Sequence, residues 1–114
     1  MGFCMNILSL SENKDFRRIY ARGKSFVAPI LVTYVLKNRC NHVRVGITTS
    51  KKIGNAVKRN RSRRVIRAAF REIAPNVKDG YDIIFVARAR TPFVKSTDLF
   101  KVVASQLKQA GVLK

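Results

Sequence analysis

The segment that decides the fold is residues 56–73, with the sequence AVKRNRSRRVIRAAFREI. At 100° per residue, this segment divides into one largely apolar stripe and one cationic stripe. The first stripe holds Ser62, Val65, Ile66, Ala69, Phe70 and Ile73, and the second holds Asn60, Arg63, Arg64, Arg67 and Arg71. Because Pro75 and Asn76 follow, the pattern ends there. The sequence therefore predicts an amphipathic helix that packs on a core and presents arginines to solvent.

Two further segments have helical spacing. Residues 11–22 place Phe16, Ile19 and Tyr20 on one side, with Ser11 as the expected N-cap and Gly23 as the expected end. Residues 96–110 place Leu99, Phe100, Val103 and Leu107 toward the core; Ser96 or Thr97 is the expected cap and Gly111 the expected end. Each helix is therefore expected to bury one face.

Three segments read as strands. Residues 30–36 alternate, with Ile30, Val32, Tyr34 and Leu36 on one face and Pro29 near the start; residues 43–49 place Val43, Val45 and Ile47 inward. Residues 81–87 are a nearly continuous apolar run, as expected for a central strand. The polar segment between Lys37 and His42 reads as a turn. This order predicts a single domain over residues 1–114, an α+β or α/β sandwich built on one sheet.

The charge balance indicates the class of partner. The chain carries 24 Lys and Arg against 6 Asp and Glu, a net charge of +18. Ten of these cations and no acid lie between Arg44 and Arg71. A solvated helix face usually mixes charge signs, and this one does not. The segment is therefore predicted to bind the phosphates of a nucleic acid.

Three local features each allow two interpretations. The loop 50–55, with Gly54, is either a phosphate cradle or a simple turn. Asn60 either reads a nucleotide or is an ordinary residue of the first helical turn. The aromatic side chains of Phe16, Tyr20 and Tyr34 either stack on unpaired bases or belong to the core. Spacing alone favours the core for all three.

Other classes of protein are disfavoured. No apolar run reaches the ~18–20 residues of a membrane span, and Met1–Leu10 lacks the features of a secretory signal. The six acids are scattered, and His42 has no evident catalytic partner. Cys4 and Cys40 form no CxxC motif, which favours reduced thiols and a cytoplasmic protein. The chain is therefore not expected to be an enzyme that works alone.

Residues 44–71, RVGITTSKKIGNAVKRNRSRRVIRAAFR, closely resemble the bacterial ribonuclease P protein component. The family's characteristic Arg-Asn-Arg stretch corresponds to Arg59, Asn60 and Arg61, continued by Arg64 and Arg67. The similarity extends over about residues 8–110. There are departures: position 20 is Tyr where many members have Phe, Ser62 replaces a common apolar residue, and the first ten residues lack the usual basic start.

The resemblance implies a fold and an activity. The expected fold is α+β, a ribosomal-protein-like sandwich with about four strands in the order α-β-β-β-α-β-α, a left-handed β-α-β crossover and a flexible N-terminus over residues 1–8. The expected activity is that of the protein subunit of an endoribonuclease that removes the 5′ leader of precursor tRNA. In this family the catalytic centre and most of the Mg²⁺ belong to the RNA subunit, so no catalytic residue or metal ligand is assigned to this chain.

The resemblance also assigns binding residues. A leader-binding cleft would be lined by Phe16, Tyr20, Tyr34, Lys51, Lys52, Arg88 and Arg90, which reverses the interpretation of the aromatics from spacing. The RNA subunit would be bound by Lys58, Arg59, Asn60, Arg61, Arg63, Arg64 and Arg67. The expected partners are ribonuclease P RNA and precursor tRNA, with no membrane and no small-molecule substrate. The alternative is a ribosomal or other structural RNA-binding protein without a role in catalysis.

Overall fold

A five-stranded sheet forms the centre of the structure, a computed structural model that describes residues 7–114. Its strands are β1 (Ile7–Ser9), β2 (Lys24–Ala28), β3 (Leu31–Lys37), β4 (Val43–Thr48) and β5 (Tyr81–Ala87), and the helices are α1 (Asn13–Arg22), α2 (Ala56–Ile73) and α3 (Ser96–Ala110). The spatial order of the strands is β1-β4-β5-β3-β2. Strand β4 runs parallel to β1 and β5, whereas β3 runs antiparallel to β5 and β2. The α+β class is therefore confirmed.

The two faces of the sheet are covered differently. Helices α2 and α3 cover one face, where their buried side chains pack on alternate residues of β3, β4 and β5, including Leu31, Val45 and Phe85. Helix α1 packs on the opposite face, where Ile19 is buried against Ile84. Within residues 7–114, the ten-residue α1 covers this face only in part, so the rest of the face borders an open groove.

The periodic segments fold as predicted. Helices α2 and α3 and strand β5 have the predicted bounds; strand β3 begins and ends one residue later than predicted, and β4 ends one residue earlier. On α2, Ser62, Ile66, Ala69, Phe70 and Ile73 are buried and Val65 is partly buried, as the spacing indicated. The buried Ser62 hydroxyl donates to the Lys58 carbonyl at 2.9 Å. The hydroxyl of Ser62, which stands where an apolar residue is common, therefore has its hydrogen-bond acceptor within the helix.

Residues 7–114 form five strands rather than about four. Strand β1 is three residues long and only Ile7 is buried in it. The edge strand β2 has no buried residue and is mostly exposed, so it carries no clear alternation. Residues 7 and 8 were expected in a flexible terminus, but they pair with Val43 and Arg44 of β4. The remainder of that expectation, residues 1–6 with Cys4, lies outside the described residues.

Both predicted N-caps were wrong. The Leu10 N–H donates to the Val45 carbonyl at 2.9 Å, which keeps the chain paired with β4. Helix α1 therefore begins only after Glu12, whose side chain makes no capping bond. Helix α3 begins after Lys95, because the Lys95 carbonyl accepts the first helical hydrogen bonds. The predicted ends at Gly23 and Gly111 were correct, and Gly111 has the left-handed conformation (φ 75°) that favours glycine.

Helix α2 connects two parallel neighbours, β4 and β5. The expected left-handed sense of this connection stays a prediction. In the part of the chain that the structure describes, none of the helices combines the length and apolar character required to cross a bilayer.

Candidate nucleic-acid interface

Three aromatic side chains form a cluster between α1 and the sheet. Phe16 and Tyr20 come from α1 and Tyr34 from β3; we call them the aromatic cluster. The ring centroids of Tyr20 and Tyr34 are 4.9 Å apart with an edge-to-face orientation, and those of Phe16 and Tyr20 are 6.4 Å apart. Tyr20 remains 38% exposed, whereas Phe16 and Tyr34 are half-buried. The cluster thus belongs partly to the core and partly to the surface, and its stacking on unpaired bases stays a prediction.

Glycine at position 46 allows the Phe16 ring to lie against β4. A Cβ atom at Gly46 would lie 2.7 Å from Phe16 Cζ and 2.8 Å from Phe16 Cε1. These distances are shorter than carbon–carbon contacts at van der Waals separation. A larger residue at position 46 would therefore displace the Phe16 ring.

A basic groove of about 730 Å³ lies at the carboxyl end of β5, on the sheet face that α1 covers incompletely. Val32 and Val86 lie opposite each other on β3 and β5. Both line this groove. Its cationic residues are Lys52, Arg88 and Arg90, and no acid lines it; the remaining lining residues are Pro29, Ser50, Ile53, Ala87 and Ala89. We call this feature the basic groove. It combines apolar surface with positive charge.

The aromatic cluster and the basic groove lie on the same face of the sheet. Tyr34 of the cluster is paired with Ile84, and two residues along each strand Val32 is paired with Val86, where the groove begins. Tyr20 Oη lies 3.0 Å from the Thr48 hydroxyl, and Thr48 is paired with Val86. The structure thus places the aromatic cluster on the same face of the sheet as the groove that Lys52, Arg88 and Arg90 line. Lys51 is exposed on the short 3₁₀ turn Lys51–Ile53 but does not line the groove.

A buried ion pair anchors α1 to this face of the sheet. The Asp82 carboxylate is fully buried and accepts two hydrogen bonds of 2.7 Å from the Arg44 guanidinium. Arg18 of α1 donates to the same carboxylate at 2.9 Å, and the Asn38 amide donates at 2.8 Å. The hydrogen bond that Arg44 donates to Asp82 raises the pKa of Arg44. Asp82 thus ties α1, β4 and β5 together beside the aromatic cluster.

The predicted cationic stripe of α2 faces outward. Its members Asn60, Arg63, Arg64 and Arg71 are exposed and Arg67 is half-buried; we call these five residues the cationic stripe. Arginine at positions 63, 64, 67 and 71 supplies forked donors that match phosphate oxygens. Asn60 Oδ1 accepts a long hydrogen bond of 3.5 Å from Arg63 Nη1, and this contact leaves both interpretations of Asn60 open.

Three other predicted residues lie on the flanks of α2. Arg59 Nη1 donates to the Gly54 carbonyl at 2.8 Å, on the side of the 50–55 loop. Arg61 Nε donates to the Pro92 carbonyl, and Lys58 Nζ lies 5.5 Å from the centroid of the Phe93 ring. The seven residues expected to bind the RNA subunit therefore share one helix but not one face. The flanking arginines retain further N–H donors beside those backbone contacts.

The loop before α2 has a structural role that the sequence left undecided. Gly54 has φ 133°, a conformation that residues with a side chain rarely adopt. The Asn55 side chain caps α2 by accepting from the Lys58 N–H at 3.0 Å. Gly54 is therefore required by the turn, and phosphate binding by this loop stays a prediction.

Sequence reasoning missed several residues at this interface. Val32, Thr48 and Val86 were assigned only to strands, although Val32 and Val86 line the basic groove and the Thr48 hydroxyl lies 3.0 Å from Tyr20 Oη. Phe93 was not singled out, although it is 70% exposed. Its signal in the sequence was an isolated aromatic after Pro92, within a basic segment.

Among residues 7–114, no three His, Cys, Asp or Glu side chains come close enough to hold a metal ion. Asp15 and Asp82 approach one another only through shared arginines: Arg18 and Arg44 contact both carboxylates. These carboxylates are therefore engaged with cations of the protein itself.

Comparison with known proteins shows which family this chain matches. A family model described as Ribonuclease P matches residues 6–111. The ribonuclease P protein component of Clostridioides difficile (strain 630) is 42% identical over 104 residues, which cover 90% of this chain and 91% of the relative. That of Clostridium kluyveri is 38% identical over 112 residues, with 96% and 100% covered.

Solved structures show the same fold. The RNase P protein of Staphylococcus aureus superposes with a TM-score of 0.81 at 34% identity, covering 93% of this chain and 97% of that chain. The RNase P protein of Thermotoga maritima superposes with a TM-score of 0.78 at 28% identity, covering 89% and 96%. The similarity thus includes both the sequence and the arrangement of sheet and helices.

Proposed function

The chain belongs to the ribonuclease P protein family, and we propose from this premise that it is the protein subunit of a bacterial ribonuclease P. In this proposal α2 binds the catalytic RNA subunit, and the opposite face of the sheet binds the 5′ leader of precursor tRNA. The complex removes the leader by metal-dependent hydrolysis and leaves the mature 5′ end of the tRNA, in the cytoplasm. The protein subunit supplies binding surfaces and not the reacting groups.

The observation that supports the leader site is that the aromatic cluster and the basic groove lie on the same face of the sheet, two residues apart along β3 and β5. Unpaired bases stack on aromatic side chains, and basic side chains along the same path neutralise the phosphates. Tyr20 is the exposed member of the cluster, and Arg88 and Arg90 lie at the other end of the path. A single strand fits this chemistry because its base faces are accessible, whereas a duplex hides them.

The cationic stripe supports binding of the RNA subunit. Arg63 and Arg67, and Arg67 and Arg71, are spaced i,i+4 on α2, where like charges repel by a few tenths of a kcal/mol per pair. No acid lies between Arg44 and Arg71 to offset this repulsion. RNA phosphates would relieve it, because each phosphate contact replaces cation repulsion by attraction and releases counterions.

We assign Mg²⁺ mainly to the RNA subunit. Residues 7–114 bring together no group of three side chains suited to a metal ion, and the most buried carboxylate, Asp82, accepts hydrogen bonds from Arg18, Asn38 and Arg44. The donor set of these residues therefore does not fit a protein-bound catalytic metal. When bound by the RNA, Mg²⁺ would stabilise the charge that develops during phosphodiester hydrolysis.

Cleavage of a 5′-labelled precursor tRNA at low Mg²⁺ tests the proposal. The reactions contain a bacterial ribonuclease P RNA alone, the protein alone, or both. We expect efficient cleavage at the mature 5′ end only in the mixture. Cleavage by the protein alone would contradict the assignment of catalysis to the RNA. A mixture no more active than the RNA alone would favour the alternative, a ribosomal or other structural RNA-binding protein.

A further inference from the structure

An exposed aromatic ring stands on a rigid turn beside α2. Phe93 ends the 3₁₀ turn Thr91–Phe93 and keeps 70% of its surface exposed. The turn is held from beneath by the buried Thr91, whose hydroxyl donates to the Ile30 carbonyl at 2.7 Å and accepts from the Arg88 N–H at 2.8 Å. The Phe93 N–H donates to the Arg90 carbonyl at 3.0 Å. The ring is therefore presented to solvent from a fixed backbone.

Two contacts join this turn to the basic flank of α2. Lys58 Nζ lies over the ring, 5.5 Å from its centroid, and Arg61 Nε donates to the Pro92 carbonyl. The first contact places a cation over the ring, and the second holds Arg61 at the residue that precedes the ring. The Phe93 ring consequently lies on the same flank of α2 as two residues of the proposed RNA-binding surface.

A second basic groove begins at Arg61 and continues along α2. It has a volume of about 590 Å³ and runs between α2 and residues 94–96. Its cationic lining residues are Arg61, Arg64, Arg67, Arg71 and Lys95, and no acid lines it. Val65, Ala68 and Val94 supply an apolar component. Phe93 immediately precedes the part of the chain that forms one side of this groove. The ring therefore stands at the border of a strongly cationic surface.

We propose that Phe93 is a stacking platform for an unpaired base of the RNA that α2 binds, an inference that rests on the proposed function. Single exposed apolar residues are common, but this ring combines a fixed backbone with flanking cations that attract phosphate. Base stacking on such a ring tolerates every base, because each base has a flat face. Because the turn that carries Phe93 contacts Lys58 and Arg61, two residues proposed to bind the RNA subunit, we assign the stacked base to that RNA. Phe93 does not line the basic groove proposed for the leader.

A tryptophan at position 93 tests this contact directly. The chain contains no Trp, so Phe93→Trp introduces a single indole reporter. We expect its fluorescence to be quenched when ribonuclease P RNA is added without precursor tRNA, because a stacked base quenches indole emission. The matched control is Val27→Trp, at the 69%-exposed Val27 on the edge strand β2. RNA alone should leave that reporter unchanged. Unquenched emission from fully bound Phe93→Trp protein would overturn the proposal, as would equal quenching of both reporters.

Affinity and its salt dependence separate stacking from charge. Phe93→Ala and Phe93→Leu should each weaken binding of ribonuclease P RNA about tenfold, whereas Phe93→Trp should preserve it. The log–log salt slope should not change in these variants, because no charge is lost. Lys58→Gln should instead reduce the slope by nearly one unit. If the Phe93→Leu variant binds as well as the unaltered protein, stacking is excluded while the proposed function stands. If the unaltered protein does not bind this RNA, the proposed function itself fails.

Discussion

Arg44 and Asp82 form a two-pronged ion pair between the neighbouring strands β4 and β5. Arg44 Nε donates to Oδ1 and Arg44 Nη2 to Oδ2, each at 2.7 Å, and the two residues are direct partners in the parallel register. The pKa of Arg44 is raised, mainly by this hydrogen bond. Because the pKa of Arg44 is raised in the folded protein, the ion pair stabilises the fold fully at every pH below the ordinary pKa of arginine. It is lost only in strongly alkaline solution.

Removal of the Asp82 charge should strongly destabilise the fold. Asp82→Asn leaves the guanidinium of Arg44 half-buried without its carboxylate, and the loss of one partner of a buried pair costs ~3–5 kcal/mol. Urea unfolding followed by circular dichroism measures this free energy. Asp79→Asn is the matched control, because Asp79 is exposed in the loop before β5 and should change stability by less than ~0.5 kcal/mol. Equal stability of the two variants would contradict the anchoring role of Asp82.

Tyr20 should contribute to leader binding through its ring. Tyr20→Ala removes the stacking surface and should weaken binding of a precursor with a long leader by ~1–3 kcal/mol in the holoenzyme. Tyr20→Phe keeps the ring and loses only the contact with Thr48, so a change of no more than ~0.5–1.5 kcal/mol is expected. Binding constants for precursors with and without a leader measure this. An equal loss of affinity for the tRNA without a leader would show that Tyr20 does not act through leader binding.

Gly46 should control the position of Phe16. Gly46→Ala inserts a Cβ atom 2.7 Å from Phe16 Cζ, which forces the ring to move and should cost ~1–3 kcal/mol in stability. Leader binding should weaken with it, because the aromatic cluster changes shape. A double-mutant cycle with Phe16→Ala tests the cause. In the Phe16→Ala background the cost of Gly46→Ala should largely disappear; additive costs would show that another contact is responsible.

The salt dependence of RNA binding should report the cationic stripe. Neutralisation of roughly eight phosphates predicts a log–log slope of about −6 to −7 for the complex with ribonuclease P RNA. Arg64→Gln should reduce the magnitude of this slope by ~0.7–0.9. Lys108→Gln removes the same charge from the exposed end of α3 and should leave the slope unchanged. A flat slope, or an equal effect of both variants, would contradict a phosphate contact centred on α2.

Several elements could be predicted from the sequence because their signals are local. The bounds of α2 and α3 followed from apolar spacing, and the end of α3 followed from Gly111. The apolar run 81–87 indicated the central strand β5. Charge sign is equally local, so the absence of acids between Arg44 and Arg71 already indicated a polyanion partner. The short strand β1 and the edge strand β2 escaped prediction because neither buries an alternating set of side chains.

By itself, the sequence determined which segments are helical, which helix face is cationic and which class of partner suits the charge. Only the tertiary structure decided that Arg18 and Arg44, 64 and 38 residues from Asp82 in the chain, share its buried carboxylate. It also decided that the Tyr20 hydroxyl lies 3.0 Å from the Thr48 hydroxyl and that Phe93 lies under the Lys58 ammonium. The physical reason is that spacing along a chain specifies which side of an element is apolar. Contacts between distant residues depend instead on strand order, register and packing.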